Sequence, residues 1–222
     1  MARNLNDVSA PRGRKRPRSH PTNASYLTHL DLRDSDEITN VGLESVALLC
    51  NLQYLDLRGC DGITDKKGND GCNIVSKCIS SLHQLRRLFL PIGIGDPGLV
   101  NVAALQRLEH LDLSSCSHLT NEGIARVGSL QQLKQLDLNG YRITDAALQV
   151  CLASLQQLQY LDLWRLGHLT DACLVIIGAM PQLRHLDLSD CDKITDEGLA
   201  SLSSLYQLQF LSLIDCDKIT DE

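Results

Sequence analysis

The chain has 222 residues, of which 43% are hydrophobic, 22% charged and only 4% aromatic, a size that suits one domain or one elongated array rather than two ordinary domains. No apolar stretch is long enough to cross a bilayer as a helix, and no apolar core follows Arg3, which excludes a transmembrane helix and a secretory signal. The net charge is −6, but residues 1–25 carry six basic groups against Asp7 alone, a net of +5 that leaves −11 for residues 26–222.

The first 25 residues, with Pro11, Pro17 and Pro21 among Arg, Ser and Asn, cannot bury a core and are expected to form a disordered basic tail. The run Arg12-Gly13-Arg14-Lys15-Arg16-Pro17-Arg18 reads first as a nuclear localisation signal, with a nucleic-acid contact or a solubilising tail as alternatives. The expected location is therefore intracellular, in nucleus or cytoplasm. Beyond the tail, the acidity argues against nucleic acid as the main ligand, because phosphate neutralisation needs clustered Lys and Arg.

From Leu27 onward one pattern organises everything. Leu-x-x-Leu-x-Leu occurs eight times, starting at Leu27, Leu52, Leu85, Leu108, Leu133, Leu158, Leu183 and Leu208. It absorbs 24 of the 42 Leu residues, at spacings of 25, 33, 23, 25, 25, 25 and 25. In each unit, as in His185-Leu186-Asp187-Leu188, the alternation is that of a short strand with one buried face. A turn follows (Ser189 to Lys193), then Ile194-Thr195-Asp196-Glu197-Gly198-Leu199, where Thr195 or Asp196 can cap a helix and the acidic residues suit its dipole. Leu199, Leu202 and Leu205 mark the buried face of that helix. No unit can bury its Leu set alone, so the prediction is a stacked α/β solenoid over residues 26–222, with a concave parallel sheet and convex helices. The eighth unit, ending at Thr220-Asp221-Glu222, is expected to lack its helix.

Two local departures matter. The second unit holds about eight extra residues around Lys66-Lys67-Gly68-Asn69-Asp70-Gly71, read as an inserted loop and a lengthened helix. Zinc on Cys60, Cys72, Cys78 and His83 is rejected there, because no Cys-x-x-Cys anchors it. The residue three places after the last Leu is Cys60, Cys116, Cys191 or Cys216 in four units. A small side chain there can bond backbone groups that the turn leaves unpaired, so these Cys are read as buried, reduced packing elements rather than nucleophiles. Nine Cys without framework spacing agree with a reducing compartment.

The phrase Leu-x-x-Leu-x-Leu-x-x-Cys-x-x-Ile-Thr-Asp-x-Gly-Leu resembles the cysteine-containing class of leucine-rich repeats. It is similar to the repeat region of F-box/leucine-rich repeat proteins and of the antagonist of mitotic exit network family. Leu183 to Leu199, Leu52 to Asp65 and Leu208 to Asp221 match best. The resemblance implies substrate recognition for a ubiquitin ligase of the SCF type, with ligase scaffold subunits among the partners. Residues 1–26 do not supply the helical segment of an F-box, so recognition is implied and recruitment is not.

The Leu side chains face inward, so the residues between them face out from the concave sheet. One resulting stripe contains His110, Gln135, Tyr160, His185 and Phe210; the next contains Asp112, Asp137, Asp162 and Asp187. Eight strands at about 4.8 Å spacing span about 34 Å, the footprint of a protein rather than a metabolite. An outward acidic column favours a cationic partner. Trp164, the only Trp, lies beside Arg165 and near Tyr160, the composition of a binding hot spot. The expected partner-binding residues are therefore Asp112, Asp137, Tyr160, Asp162, Trp164, Arg165, His185 and Asp187. The expected partner is a protein with a basic patch, without membrane or cofactor. His110 with Asp112 and His185 with Asp187 sit without a third convergent group and are read as a solvated stripe, not a metal site. A catalytic Cys, a metal-dependent enzyme, or a nuclear scaffold unrelated to ubiquitin are the alternatives, and no phosphate loop or nucleophile elbow supports an enzyme.

Overall fold

A computed structural model describes residues 26–65, 74–138 and 143–220. The basic tail at 1–25, the inserted segment at 66–71 and Tyr141 lie outside these residues. Eight strands form one parallel sheet in chain order: β1 (His29–Asp31), β2 (Tyr54–Asp56), β3 (Arg87–Phe89), β4 (His110–Leu113), β5 (Gln135–Leu138), β6 (Tyr160–Asp162), β7 (His185–Asp187) and β8 (Phe210–Ser212). Each begins two residues after the first Leu of its repeat. Between them run seven helices: α1 (Asn40–Val46), α2 (Ile74–Ser80), α3 (Asp96–Val102), α4 (Asn121–Val127), α5 (Asp145–Leu152), α6 (Asp171–Ile177) and α7 (Asp196–Leu199). The last is a single turn, because Ala200–Ser204 continues it as a 3₁₀ helix. Over its described residues α2 is no longer than α1, both having 7 residues.

The register is strict. The central Leu of each strand pairs with that of the next, from Leu30 with Leu55 to Leu186 with Leu211. The sheet and helices enclose one continuous core, in which all three pattern Leu of the second to seventh units are essentially buried. Fully burying a Leu is worth about 1.5–3 kcal/mol, so each unit draws its stability from its two neighbours. The end units have one neighbour, and there Leu27 and Leu211 stay 38% and 39% exposed. The expectation of buried Leu throughout holds for the interior and fails at the rims for that reason.

Polar ladders run beside the core and hold the repeats in step. The turn Cys is one: Cys60 donates its thiol to the Leu32 carbonyl (3.0 Å), Cys116 to Pro91 (3.4 Å), Cys191 to Leu163 (3.5 Å) and Cys216 to Leu188 (3.1 Å). All four are buried and free of disulfides. Burial pushes the Cys191 thiol up to about 12, with the Leu166 amide opposing. A second ladder corrects the role expected for the Asp that opens each helix. Asp96 accepts from the Thr120 amide of the next unit (2.9 Å) and from its hydroxyl, and Asp145–Thr170, Asp171–Thr195 and Asp196–Thr220 repeat the arrangement. These carboxylates therefore clamp the following unit's turn, while Thr is the N-cap of its own helix. The clamp leaves no room for a side chain at Gly123, where a Cβ would lie 2.2 Å from Asp96 Oδ1.

Candidate functional site

The concave face is built by the strand residues between the pattern Leu. Ring contacts form two runs on this face. His29 stacks on Tyr54 at 3.8 Å, Tyr54 meets Phe89 at 5.3 Å, and Phe89 meets His110 at 4.6 Å. At the other end His185 lies between Tyr160 and Phe210, 4.1 Å from each. The parallel register causes the His29–Tyr54 and Tyr160–His185–Phe210 contacts, since equivalent outward positions lie about 4.8 Å apart, whereas Phe89 stands at the Asp position of β3 and lies between Tyr54 and His110.

The acidic stripe differs from expectation. It was to be a solvated column, but Asp56 is fully buried and Asp112 only 6% exposed. The cause is local. Five of these Asp turn back to accept a hydrogen bond from the amide two residues on, closing the turn that follows the strand. Asp31 accepts from Arg33, Asp56 from Arg58, Asp112 from Ser114, Asp162 from Trp164 and Asp187 from Ser189, at 2.9–3.1 Å. This Asx-turn chemistry accounts for the recurrence of Asp without any ligand.

The stripe is electrically uneven. In the first half Arg33 pairs with Asp31 (2.7 Å) and reaches Asp56 (3.6 Å). Arg58 pairs with Asp56 (2.6 Å), reaches Asp112 (3.3 Å) and covers the Phe89 ring at 4.4 Å. The Arg33 bond holds the Asp31 carboxyl down at about 2. Asp112 is thus buried and bonded to Arg58, and it leaves the set of expected contact residues. In the second half, among the described residues, no Lys or Arg pairs with Asp137, Asp162 or Asp187. Asp137 Oδ2 lies 3.2 Å from His110 Nε2, and Asp187 also accepts from the Ser189 hydroxyl (2.6 Å). Burial pushes Asp162 up to about 6, against the Trp164 amide bond and together with the charges of Asp187, Asp137 and Asp112. Burial and the same carboxylates push Tyr160 up to about 12, and burial lowers His185.

The aromatic part of the expected site is regrouped. Tyr160 stacks on His185 rather than pairing with Trp164. Trp164 is 41% exposed, and the Arg165 guanidinium sits 5.1 Å from its ring. Arg165 also lies 3.7 Å from Asp190 and has a left-handed backbone, φ 61°. At the same repeat position Asp34, Asp190 and Asp215 share that conformation, and Gly59 has it as well. It aims the amide at the next unit, as Arg165 N–H does at Ser189 O (2.9 Å). Unlike Asp and Gly, Arg does not favour it, so the fold holds Arg165 against a local preference.

Phe210 and Ile214, 47% and 66% exposed, belong to the same surface but were not among the expected contacts. Their stripe positions were readable in sequence; their exposure was not, because it depends on the position of β8 at the sheet edge. Among the described residues no three His, Cys, Asp or Glu converge to hold a metal, and no helix is long and apolar enough to cross a membrane.

A leucine-rich repeat family model matches residues 23–47, 49–66, 105–127 and 180–203. No curated protein sequence matches significantly. Among solved structures, a leucine-rich repeat protein of Leptospira interrogans is similar at 25% identity and TM-score 0.63, over 86% of this chain and 44% of that one. A chain of the yeast Rad7 and Elc1 complex is similar at 18% identity and TM-score 0.52, over 81% of this chain and 54% of its own length. Internalin C2 of Listeria monocytogenes shows 23% identity and TM-score 0.55, over 86% and 82%. The chain thus spans about half the length of the first two. With eight in-register parallel strands and the repeat match, the chain folds as a leucine-rich repeat solenoid.

Proposed function

We propose that the protein is a non-catalytic binding module that holds a protein partner by a basic patch, on the second half of its concave face. One observation carries the reading: Asp137, Asp162 and Asp187 sit without a Lys or Arg partner among the described residues, beside the Tyr160–His185–Phe210 stack and the half-exposed Trp164. A Lys or Arg arriving there gains both the carboxylates and aromatic faces. The first half offers no such vacancy, since Arg33 and Arg58 occupy it. That one fold neighbour is seen in a two-protein complex supports a protein as ligand.

Substrate recognition for a ubiquitin ligase, implied by the family resemblance, is a narrower form of the same reading. Both are tested by affinity purification with the full chain, scored for ligase scaffold subunits, followed by titration of a captured partner across a salt series. Trp164→Ala should cost about 2 kcal/mol or more of binding, and added salt should slow association. A partner indifferent to salt and to Trp164, with folding intact by circular dichroism, would show that the concave face is not the site.

A further inference from the structure

The half of the concave face whose carboxylates pair with no described Lys or Arg has a cationic candidate in the same polypeptide. We propose that the basic run Arg12–Arg18 docks across β5 to β7, so that the tail occupies the partner site and a partner must displace it. The inference rests on the proposed concave-face reading and names the site's resident competitor.

Three observations support it. The first is charge complementarity: residues 1–25 carry +5, against −11 for the rest of the chain, and five of the six basic groups fall between Arg12 and Arg18. The second is reach. Tyr26 precedes β1 by three residues. From β1 to β6 is five strand spacings, about 24 Å, and to β7 about 29 Å. An extended chain covers about 3.3–3.6 Å per residue, so Arg18 reaches Asp162 only when nearly straight, while Arg12, Arg14 and Lys15 reach Asp187 with length to spare. The third is selection along the face. The nearer carboxylates, Asp31, Asp56 and Asp112, are held by Arg33 and Arg58. The first ones on the tail's path that no described Lys or Arg holds are Asp137, Asp162 and Asp187, and the ring stack ending at Phe210 lies beside them.

The test uses full-length chains and the fluorescence of Trp164, which reports on this face because it is the only Trp. One chain is intact; the other carries Arg12→Gln, Arg14→Gln, Lys15→Gln, Arg16→Gln and Arg18→Gln. Each is titrated with a synthetic peptide of residues 10–20. A tethered segment acts at an effective concentration of about 1 mM. A peptide that binds the neutralised chain at about 100 µM should therefore bind the intact chain about tenfold more weakly. Asp162→Asn in the neutralised chain should weaken the peptide at least threefold, while Asp217→Asn, on an exposed turn, should not. Equal peptide affinity for the intact and neutralised chains overturns tail docking and leaves the concave face as a site for basic partners. Equal loss from Asp162→Asn and Asp217→Asn also overturns it, by placing the contact elsewhere on the acidic body. Peptide binding to neither chain counts against both readings.

Discussion

If the carboxylate that opens each helix is a clamp on the next unit, Gly123 and Asp96 should be coupled, and the sign of a Gly123→Ala effect should depend on Asp96. Asp96 accepts from the Thr120 amide (2.9 Å) and from its hydroxyl. Hydrogen bonds to a charged group contribute about 1.5–3 kcal/mol each, and less at a partly exposed site, so about 2 kcal/mol is a fair value for the clamp. A Cβ at position 123 would lie 2.2 Å from Asp96 Oδ1 and 2.9 Å from Cγ, which drives the carboxylate off Thr120. Against that, Ala is favoured over Gly inside a helix by about 0.5–1 kcal/mol. Gly123→Ala alone should therefore destabilise by about 1–2 kcal/mol. In an Asp96→Ala background the nearest remaining Asp96 atom noted, its Cα, is 3.3 Å away, and the same substitution should stabilise by about 0.5 kcal/mol or more. Urea unfolding followed by circular dichroism on the four proteins of the cycle gives the coupling directly. An equal loss from Gly123→Ala in both backgrounds would refute the clamp.

Other outcomes follow from the same geometry. Asp187→Ala removes the bonds to the Ser189 amide and hydroxyl and should cost about 1–2 kcal/mol of stability, checked by the same unfolding assay; no loss would return this Asp to the role of a free surface charge. Replacing buried Cys116 or Cys191 by Asp should cost 3 kcal/mol or more, about the penalty of an unpaired buried charge. In native thiol labelling read by peptide mass spectrometry, exposed Cys50 should react fast and Cys60, Cys116 and Cys191 slowly. Binding of a basic partner should weaken as pH falls from 7 to 5. Asp162, raised to about 6, gains a proton in that window and loses the charge that an incoming Lys or Arg would meet. Asp162→Asn should flatten that profile, and an unchanged slope would remove Asp162 from the site. The fold responds in the opposite sense to this one group: its folded value lies above the ordinary 3.8, so its neutral form is favoured and it adds stability as pH falls through 6.

The fold was legible in the amino-acid sequence because a repeat states the same instruction eight times. Leu-x-x-Leu-x-Leu can bury its three side chains only against a copy of itself, so strand direction, register and the inward Leu follow from the spacing. The turn Cys were legible for a similar reason, since a small side chain recurring at a tight turn has unpaired carbonyls to meet. Three things were decided only in the tertiary structure. The Asp of β1, β2, β4, β6 and β7 looks like a surface charge in sequence, but the short turn behind it folds its carboxylate onto the amide two residues on. The helix-opening Asp looks like a cap for its own helix, but stacking at one-unit spacing places it on the next unit's Thr. Charge compensation was the third: Arg33 and Arg58 pair with the Asp two residues back, but nothing local says that they also reach Asp56 and Asp112. Parallel stacking brings Arg58 to Asp112, 54 residues away in sequence, and brings no described Lys or Arg to Asp137, Asp162 or Asp187. Local chemistry repeats and can be read along the chain; electrostatic pairing depends on distances across strands, which exist only once the sheet has formed.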